Sequence, residues 1–358
     1  MDAHSRLSAG GGAGERLSVE TVDVIVVGGG PAGSSCAARL VRAGASVLVL
    51  DREEFPRTKL CAGWITPEVV ADLNLDVEEY PHRFNTFNGI VVHLKWLKFT
   101  LPSVQHSIRR FEFDDWLLRR SGARALRHNV RHIERDGDGF TVDGAFRAKY
   151  LVGAGGTRCP VYRTFFREAN PRARELQAAT YEHEFPHRWH DERCHLWFFE
   201  KGLPGYAWYV PKADGYLNCG IGGMAEKLKA RGEDIKRHWR HFLEVLARRG
   251  LVRDVEIAPK GYSYYLRGGV EVVRIGNAFI AGDSAGLATR DLCEGIGPAV
   301  TSGHRAAASI VEGTEYRLDD LAAYSSDVGL VQRMLERAFA GSRLRVPENR
   351  VAREAVGL

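Results

Sequence analysis

The stretch from Thr21 to Leu50, TVDVIVVGGGPAGSSCAARLVRAGASVLVL, constrains the fold of this chain more than any other. Val22 to Val27 is a short apolar run rich in β-branched residues, which suits a strand buried in a parallel sheet. Gly28, Gly30 and Gly33 follow at G-x-G-x-x-G spacing. Pro31 fits the first turn of a helix, where its missing N–H costs nothing. Ala32, Cys36, Ala37, Leu40 and Val41 then recur at helical spacing. Gly44 closes the helix, and Ser46 to Leu50 reads as a second strand with Asp51 at its C-terminal end.

Each part of this βαβ unit has a use in binding a dinucleotide. Gly28 permits the tight turn, Gly30 lets backbone N–H groups approach a pyrophosphate, and Gly33 lets helix and strand pack closely. The helix start at Pro31 and Ala32 supplies partial positive charge. Asp51 can accept hydrogen bonds from adenosine ribose hydroxyls. A remote segment, AFIAGDSAGLATRDLCEGIGPAV from Ala278 to Val300, decides which dinucleotide. An apolar strand runs into Gly282-Asp283, and Glu294 to Gly297 opens a helix that continues to about Glu312. Asp283 can bond a ribityl or ribose hydroxyl. Backbone N–H groups at Gly295, Ile296 and Gly297 can face the flavin N1/O2 edge. A simple nicotinamide dehydrogenase has no need of this second strand–turn–helix, so the cofactor reads as FAD.

The 358 residues are 44% apolar and 27% charged, enough for a large core in one or two domains. No apolar run approaches a membrane span, and the Gly-, Ser- and Ala-rich residues 1–20 read as a disordered leader without an apolar export segment. The six cysteines form no C-x-x-C pair, which points to reduced thiols in a cytoplasm and argues against a metal site. The net charge of +5 is concentrated in Glu226 to Arg249, where Ile235, Trp239, Phe242, Leu243 and Leu246 fall near one helical face. That helix either packs on a core with a solvated basic face or touches an anionic membrane surface. No nucleic-acid-binding motif accompanies the charge. His183, His187, His190 and His195 read as surface or loop residues.

Two further stretches are strand-like. GIVVHLKWLKFTL, Gly89 to Leu101, alternates in part. Cys194 to Gly223 reads as three strands, near Cys194–Phe199, Tyr206–Pro211 and Tyr216–Gly222. Period-two geometry puts Tyr206, Trp208 and Val210 on one face and Ala207 and Tyr209 on the other. The first face is the expected ceiling of a substrate pocket, with Gly220 and Gly222 letting backbone come close to ligand or flavin.

The glycine motif, Arg110-Phe111-Glu112-Phe113-Asp114 and the Gly282 to Gly297 segment resemble the FAD motifs of the p-hydroxybenzoate hydroxylase superfamily. KLCAGWITPEV resembles the Lys- or Arg-flanked Cys-Gly-Gly loop of its geranylgeranyl reductase-like branch. Tyr206-x-Trp208-x-Val210-Pro211, followed by Gly220-x-Gly222, resembles that branch's Y-x-W-x-F-P…G-x-G signature. It is also similar in form to the W-x-W-x-I-P of flavin-dependent halogenases, differing at the first aromatic. The resemblance implies that Arg110 lies along the FAD, that Arg52 flanks the adenosine, and that Lys59 and Cys61 sit on the loop over the flavin. It also implies roles for Cys61 in protonation or substrate handling. The chain departs from the family pattern at Gly155-Gly156, where Asp-Gly is common, at Arg290, in place of a proline, and at Cys293, in place of a glycine. Arg290 and Cys293 would make the pocket more polar.

These readings imply an α/β fold: a Rossmann-like FAD-binding domain of p-hydroxybenzoate hydroxylase type with an inserted antiparallel β-sheet substrate domain. The FAD domain is expected over 21–80, 103–175 and 270–315, the substrate domain over 81–102 and 176–269, and a helical tail over 316–358. The implied activity is reduction of carbon–carbon double bonds in an apolar, prenyl- or lipid-like substrate by hydride from reduced flavin. Cys61 or water would supply the proton, and Tyr206 and Trp208 would hold the substrate. NAD(P)H or a small electron carrier would act as transient reductant, since no second G-x-G-x-x-G exists. Two alternatives stay open: a monooxygenase or halogenase using a flavin hydroperoxide, and a non-catalytic or electron-relay flavoprotein. The expected location is cytoplasmic, with peripheral membrane contact left open.

Overall fold

The computed structural model describes residues 19–253, 255–323 and 325. Its mixed α/β architecture rests on two eight-stranded sheets. In the first, Glu20–Val27 runs parallel between Val47–Asp51 and Phe146–Gly153. Arg124–Arg127 and Ala278–Ile280 extend this parallel array on either side. Val24, Ile25 and Val26 are fully buried, as a strand covered on both faces requires.

The helix Pro31–Arg42 leaves the first strand through Gly28, whose φ of +110° few other residues adopt. It then packs so closely that a Cβ at Gly33 would stand 1.8 Å from the Gly28 carbonyl oxygen. The helix Ile296–Glu312 crosses it with equal intimacy: a Cβ at Gly303 would stand 2.2 Å from the Ala32 carbonyl oxygen. Backbone contact around Ala32 therefore docks the C-terminal segment on the first βαβ unit.

The second sheet runs in the order Lys260–Tyr265, Gln177–Pro186, Tyr216–Met224, Gly205–Lys212, Cys194–Phe198, Asn85–Leu94, Leu97–Ser107, Trp64–Ile65. Only the pairing of Cys194–Phe198 with Asn85–Leu94 is parallel. The strand-like stretch Gly89 to Leu101 lies in a hairpin, turned at Lys95 with φ +54°. Leu97–Ser107 continues past residue 102, and Trp64–Ile65 joins the sheet edge. Segments expected on the cofactor side thus lend strands to the substrate side.

One face of this sheet, including Ala207, Tyr209 and Ile221, packs against Trp239, Phe242, Val245 and Leu246. Those four side chains belong to the helix Ile235–Arg248. Burial of each stabilises the packing by about 1.5–3 kcal/mol relative to exposure. The basic helix expected over Glu226 to Arg249 is two helices, Ala225–Ala230 and Ile235–Arg248. Gly232, at φ +62°, ends the first, and Asp234 caps the second by accepting from the Lys236 N–H at 3.0 Å. The apolar stripe of the second helix packs on the sheet.

His195 is not a surface residue. It is buried on this same face, donating from Nε2 to Asp191 at 3.0 Å and accepting at Nδ1 from His93 Nε2 at 3.2 Å. Burial lowers His93 to about 3 and His195 to about 4, so both stay neutral in a ring stack with Trp197. Period-two alternation buries His195 because the helix covers its face.

The leader expected over 1–20 lies outside the described residues up to position 18, and Glu20 already belongs to the first strand. Of the expected helical tail, 316–323 is not helical. Tyr316 and Leu318 are buried, and the Tyr316 hydroxyl donates to the Ile280 carbonyl at 2.7 Å. Residues 326–358 lie outside the described residues.

The opposite sheet face carries Tyr206, Trp208 and Val210 with Ile90, Val92, Leu196 and Phe198. Here the structure revises the reading of Gly220 and Gly222. A Cβ on Gly220 would meet the Trp208 ring at 2.1 Å, and one on Gly222 would meet it at 3.5 Å. Gly220 makes room for an indole lying across the neighbouring strand, rather than for an approaching ligand, while a Cβ at Gly222 would make only ordinary contact with the same ring. Gly220→Ala should lower stability by about 1–3 kcal/mol in urea unfolding. Gly269→Ala, where the new methyl meets nothing within 4 Å, should stay within about 0.5 kcal/mol of the parent.

Candidate active site

Between the two sheets lies a cavity of about 640 Å³. Its lower end is the glycine turn: Gly28, Gly30, Pro31 and Ala32 line it, with Asp51 and Arg52 at the end of the second strand. Gly33 does not line it and serves the helix–strand contact. The Asp51 carboxylate is oriented by the Gly29 N–H at 2.8 Å and the Glu53 N–H at 2.9 Å. No side chain caps the helix at Gly30, and its first turn carries no acidic residue. A Cβ on Gly30 would project to within 3.4 Å of Arg57 Nη2. An uncapped helix start, a missing Cβ and a carboxylate fixed at the strand end suit a dinucleotide with a pyrophosphate.

Arg110 lines the cavity and is almost fully buried. Its Nε and Nη2 donate to the two oxygens of Asp114, at 2.6 and 2.7 Å. Arg57 Nη1 stands 3.2 Å from the same carboxylate, which is itself fully buried. Burial opposes the charge on Arg110, but Asp114 outweighs it and pushes the guanidinium upward, so it stays protonated.

From the C-terminal segment, Gly282, Asp283, Gly295 and Ile296 line the cavity, and Gly155, two residues past the end of Phe146–Gly153, lines it as well. Gly297 does not. Its N–H donates to Glu294 Oε1 at 2.6 Å, so a side chain already caps part of this helix start. Burial pushes the Glu294 carboxyl up to about 7. Arg290 also turns away from the cavity. Its Nε donates to the Arg267 carbonyl at 2.7 Å, so it does not bring the expected cation to the pocket. Cys293 does line the cavity, at φ +57°, a backbone region costly for a residue with a Cβ.

The upper wall holds Tyr206, Trp208 and the loop bearing Lys59 and Cys61. The Tyr206 hydroxyl donates to the Leu292 carbonyl at 2.5 Å, which ties the sheet to the C-terminal loop. Two buried side chains clamp the Cys61 loop to the sheet. Lys212 Nζ donates to the carbonyls of Ala62 and of Ile108. Asn218 Nδ2 donates to the Cys61 carbonyl at 3.3 Å, while its Oδ1 accepts from Trp208 Nε1 at 2.7 Å. Lys59 Nζ lies 3.6 Å from the centre of the Tyr262 ring. Sequence reasoning missed Lys212, Asn218 and the buried, cavity-lining Glu182. Only the alternation that turns Trp208 inward could have flagged Glu182, two positions on from Thr180 on a strand separated from that of Trp208 by Tyr216–Met224.

Comparison with known proteins agrees with this geometry. The pattern of a family described as FAD dependent oxidoreductase matches residues 23–112. An uncharacterized protein of Methanosarcina barkeri is 32% identical over 307 residues, covering 81% of this chain and 75% of its own length. The menaquinone reductase of Mycolicibacterium smegmatis is 29% identical, covering 82% and 78%. Digeranylgeranylglycerophospholipid reductase 2 of Methanosphaera stadtmanae is 27% identical, covering 86% and 83%. Among solved structures, a geranylgeranyl bacteriochlorophyll reductase-like protein of Thermoplasma acidophilum superimposes with a TM-score of 0.70 at 20% identity, over 89% of this chain and 84% of that one. A flavin-dependent brominase superimposes with a TM-score of 0.65 at 19% identity, over 88% and 84%. These two share the fold.

The Arg110–Asp114–Arg57 cluster generates a prediction. Asp114→Ala leaves buried guanidinium groups without their carboxylate and should cost about 3–5 kcal/mol in chemical unfolding.

Proposed function

Because the chain belongs to the geranylgeranyl reductase-like branch of the FAD-dependent oxidoreductases, we propose that it reduces carbon–carbon double bonds of a prenyl- or lipid-like substrate. One observation carries the reading. The wall opposite the nucleotide end of the cavity is a continuous apolar strip, including Ile90, Val92, Leu94, Leu196, Phe198 and Trp208. Such a strip suits a hydrocarbon chain and offers few polar groups to a hydrophilic substrate. The names of two relatives, a menaquinone reductase and a digeranylgeranylglycerophospholipid reductase, point to molecules that carry polyprenyl chains.

FAD, when bound, supplies the electron-pair chemistry that no side chain can. The chain's residues bind and orient. N–H groups after Gly30 would hold the pyrophosphate, Asp51 and Asp283 would accept from sugar or ribityl hydroxyls, and Arg110 would offer fixed positive charge. Tyr206 and Trp208 press the substrate chain toward the Cys61 loop, which Lys212 and Asn218 hold in place. The dry wall excludes water from the reacting carbons. NAD(P)H or a small electron carrier serves as transient reductant.

The part that meets a lipid surface is the hairpin tip. Trp96 is 90% exposed and Leu97 41%, between Lys95 and Lys98. Leu94 and Phe99, which line the cavity, are their near neighbours. An exposed indole flanked by lysines suits the interface of an anionic bilayer. Among the described residues no helix is long and apolar enough to cross a membrane.

Anaerobic mixing of the reduced holoprotein with a polyprenyl alkene should reoxidise the flavin and yield the saturated product. A long-lived hydroperoxide absorbance on mixing with air, with no alkene reduced, would instead support the monooxygenase or halogenase reading. Trp96→Ala should weaken sedimentation with phosphatidylglycerol vesicles about tenfold while leaving the visible flavin spectrum unchanged.

A further inference from the structure

We infer that Glu182 is the proton donor to the substrate in the upper cavity, an assignment that rests on the reductase reading above. Glu182 lies on Gln177–Pro186, opposite Gly220, and is 2% exposed while lining the cavity. A Cβ on Gly220 would meet both the Trp208 ring, at 2.1 Å, and the Glu182 Cβ, at 2.7 Å. The indole and the glutamate stem therefore close over the same glycine, which places the carboxyl beside the aromatic face that holds the substrate. Asn218 is committed on both ends: Oδ1 accepts from Trp208, and Nδ2 reaches the Cys61 carbonyl and Glu182 Oε2, at 3.3 and 3.4 Å. Glu182 is thus oriented by the same amide that orients Trp208 and the Cys61 loop.

The charged surroundings fit a carboxyl that holds its proton near neutrality. Burial raises Glu182 to about 7, and its own-strand neighbour Glu184 adds to that. Lys59, on the Cys61 loop, and Lys212, on the Trp208 strand, pull the other way, as does the Asn218 hydrogen bond. Tyr262, on the strand to the other side, carries the Lys59 ammonium over its ring rather than leaving it in contact with the carboxylate. No ion pair within 4.0 Å engages Glu182 among the described residues. Cys61 also lines the cavity, its sulfur accepting from the Gly63 N–H at 3.3 Å and standing in hydrogen-bond contact with Arg110.

An alkene gains two hydrogens on reduction. Reduced FAD, when bound, would supply one of them together with its electron pair. The other is a proton: the Glu182 O–H bond breaks, a C–H bond forms at the neighbouring carbon, and the carboxylate regains its proton from water. The acid is competent only while protonated, so the rate of the reducing half-turn should fall about tenfold per pH unit above about 7.

The experiment compares wild type, Glu182→Gln and Glu182→Asp as FAD-loaded proteins. Infrared difference titration of the oxidised proteins between about pH 5 and about pH 9 should show protonated-carboxyl absorption lost near 7 from both Glu182 and Glu294 in wild type, and only the Glu294 component in Glu182→Gln. In anaerobic single turnover with a polyprenyl alkene, Glu182→Gln should be slower by about 10²–10⁴-fold and lose the pH dependence. Glu182→Asp should recover part of the rate, and all three should bind FAD equally. The assignment is overturned if wild type and Glu182→Gln show the same titrating carboxyl absorption, or if Glu182→Gln reduces alkene within about threefold of wild type. A wild-type protein that shows the Glu182 component but reduces no polyprenyl alkene supports the protonation state of Glu182 and removes the reductase reading.

Discussion

Close backbone contact around Ala32 is the constraint on which the rest of the structure depends. The glycine at position 33 lets the first helix lie against the first strand, and the one at 303 lets the last described helix lie against the first. Gly282, at φ +57°, brings its turn to the same residue, with a Cβ there reaching within 3.1 Å of the Ala32 methyl. Segments at the two ends of the described chain thereby share one cavity wall. A side chain at Gly33 or Gly303 would force them apart, because the opposing atoms are main chain and cannot rotate away.

The second sheet meets this cradle through polar groups rather than through packing alone. Lys212 is wholly buried, and burial lowers its pKa, but carbonyls on two segments receive its protons. Asn218 joins three separate segments. Buried polar groups that each satisfy several partners define one arrangement of the loop over the cavity, where an apolar interface would allow several. The apolar strip and the polar clamps therefore divide the work. The strip offers an apolar wall, and the clamps hold the loop and the carboxyl at fixed positions beside it.

The first βαβ unit was legible because all of its determinants are local: apolar run, glycine spacing, proline and terminal aspartate fall within one short stretch. The facing of Tyr206 and Trp208 was legible for the same reason, through period-two alternation. What could not be read were partners set by strand order. Trp208 and Gly220 pair across a register that depends on the turn at Asp214 and Gly215. Glu182 carries no mark in the sequence, because its place opposite Gly220 follows only from the pairing of its strand with Tyr216–Met224. His195 reads as a loop histidine until the helix Ile235–Arg248 is placed over its face. The N–H groups expected to face the flavin at Gly295 to Gly297 are partly taken by Glu294, an acid whose side-chain direction no spacing rule supplies.

The central claim is that segments from both ends of the described chain bind one FAD. Titration of the apoprotein with FAD, followed by quenching of flavin fluorescence, tests it most directly. The account predicts saturation at one FAD per chain, with loss of tight binding when Gly303 is replaced by valine. A protein that quenches no flavin at any ratio, or a Gly303→Val variant that stays folded and binds FAD as tightly as the parent, would contradict it.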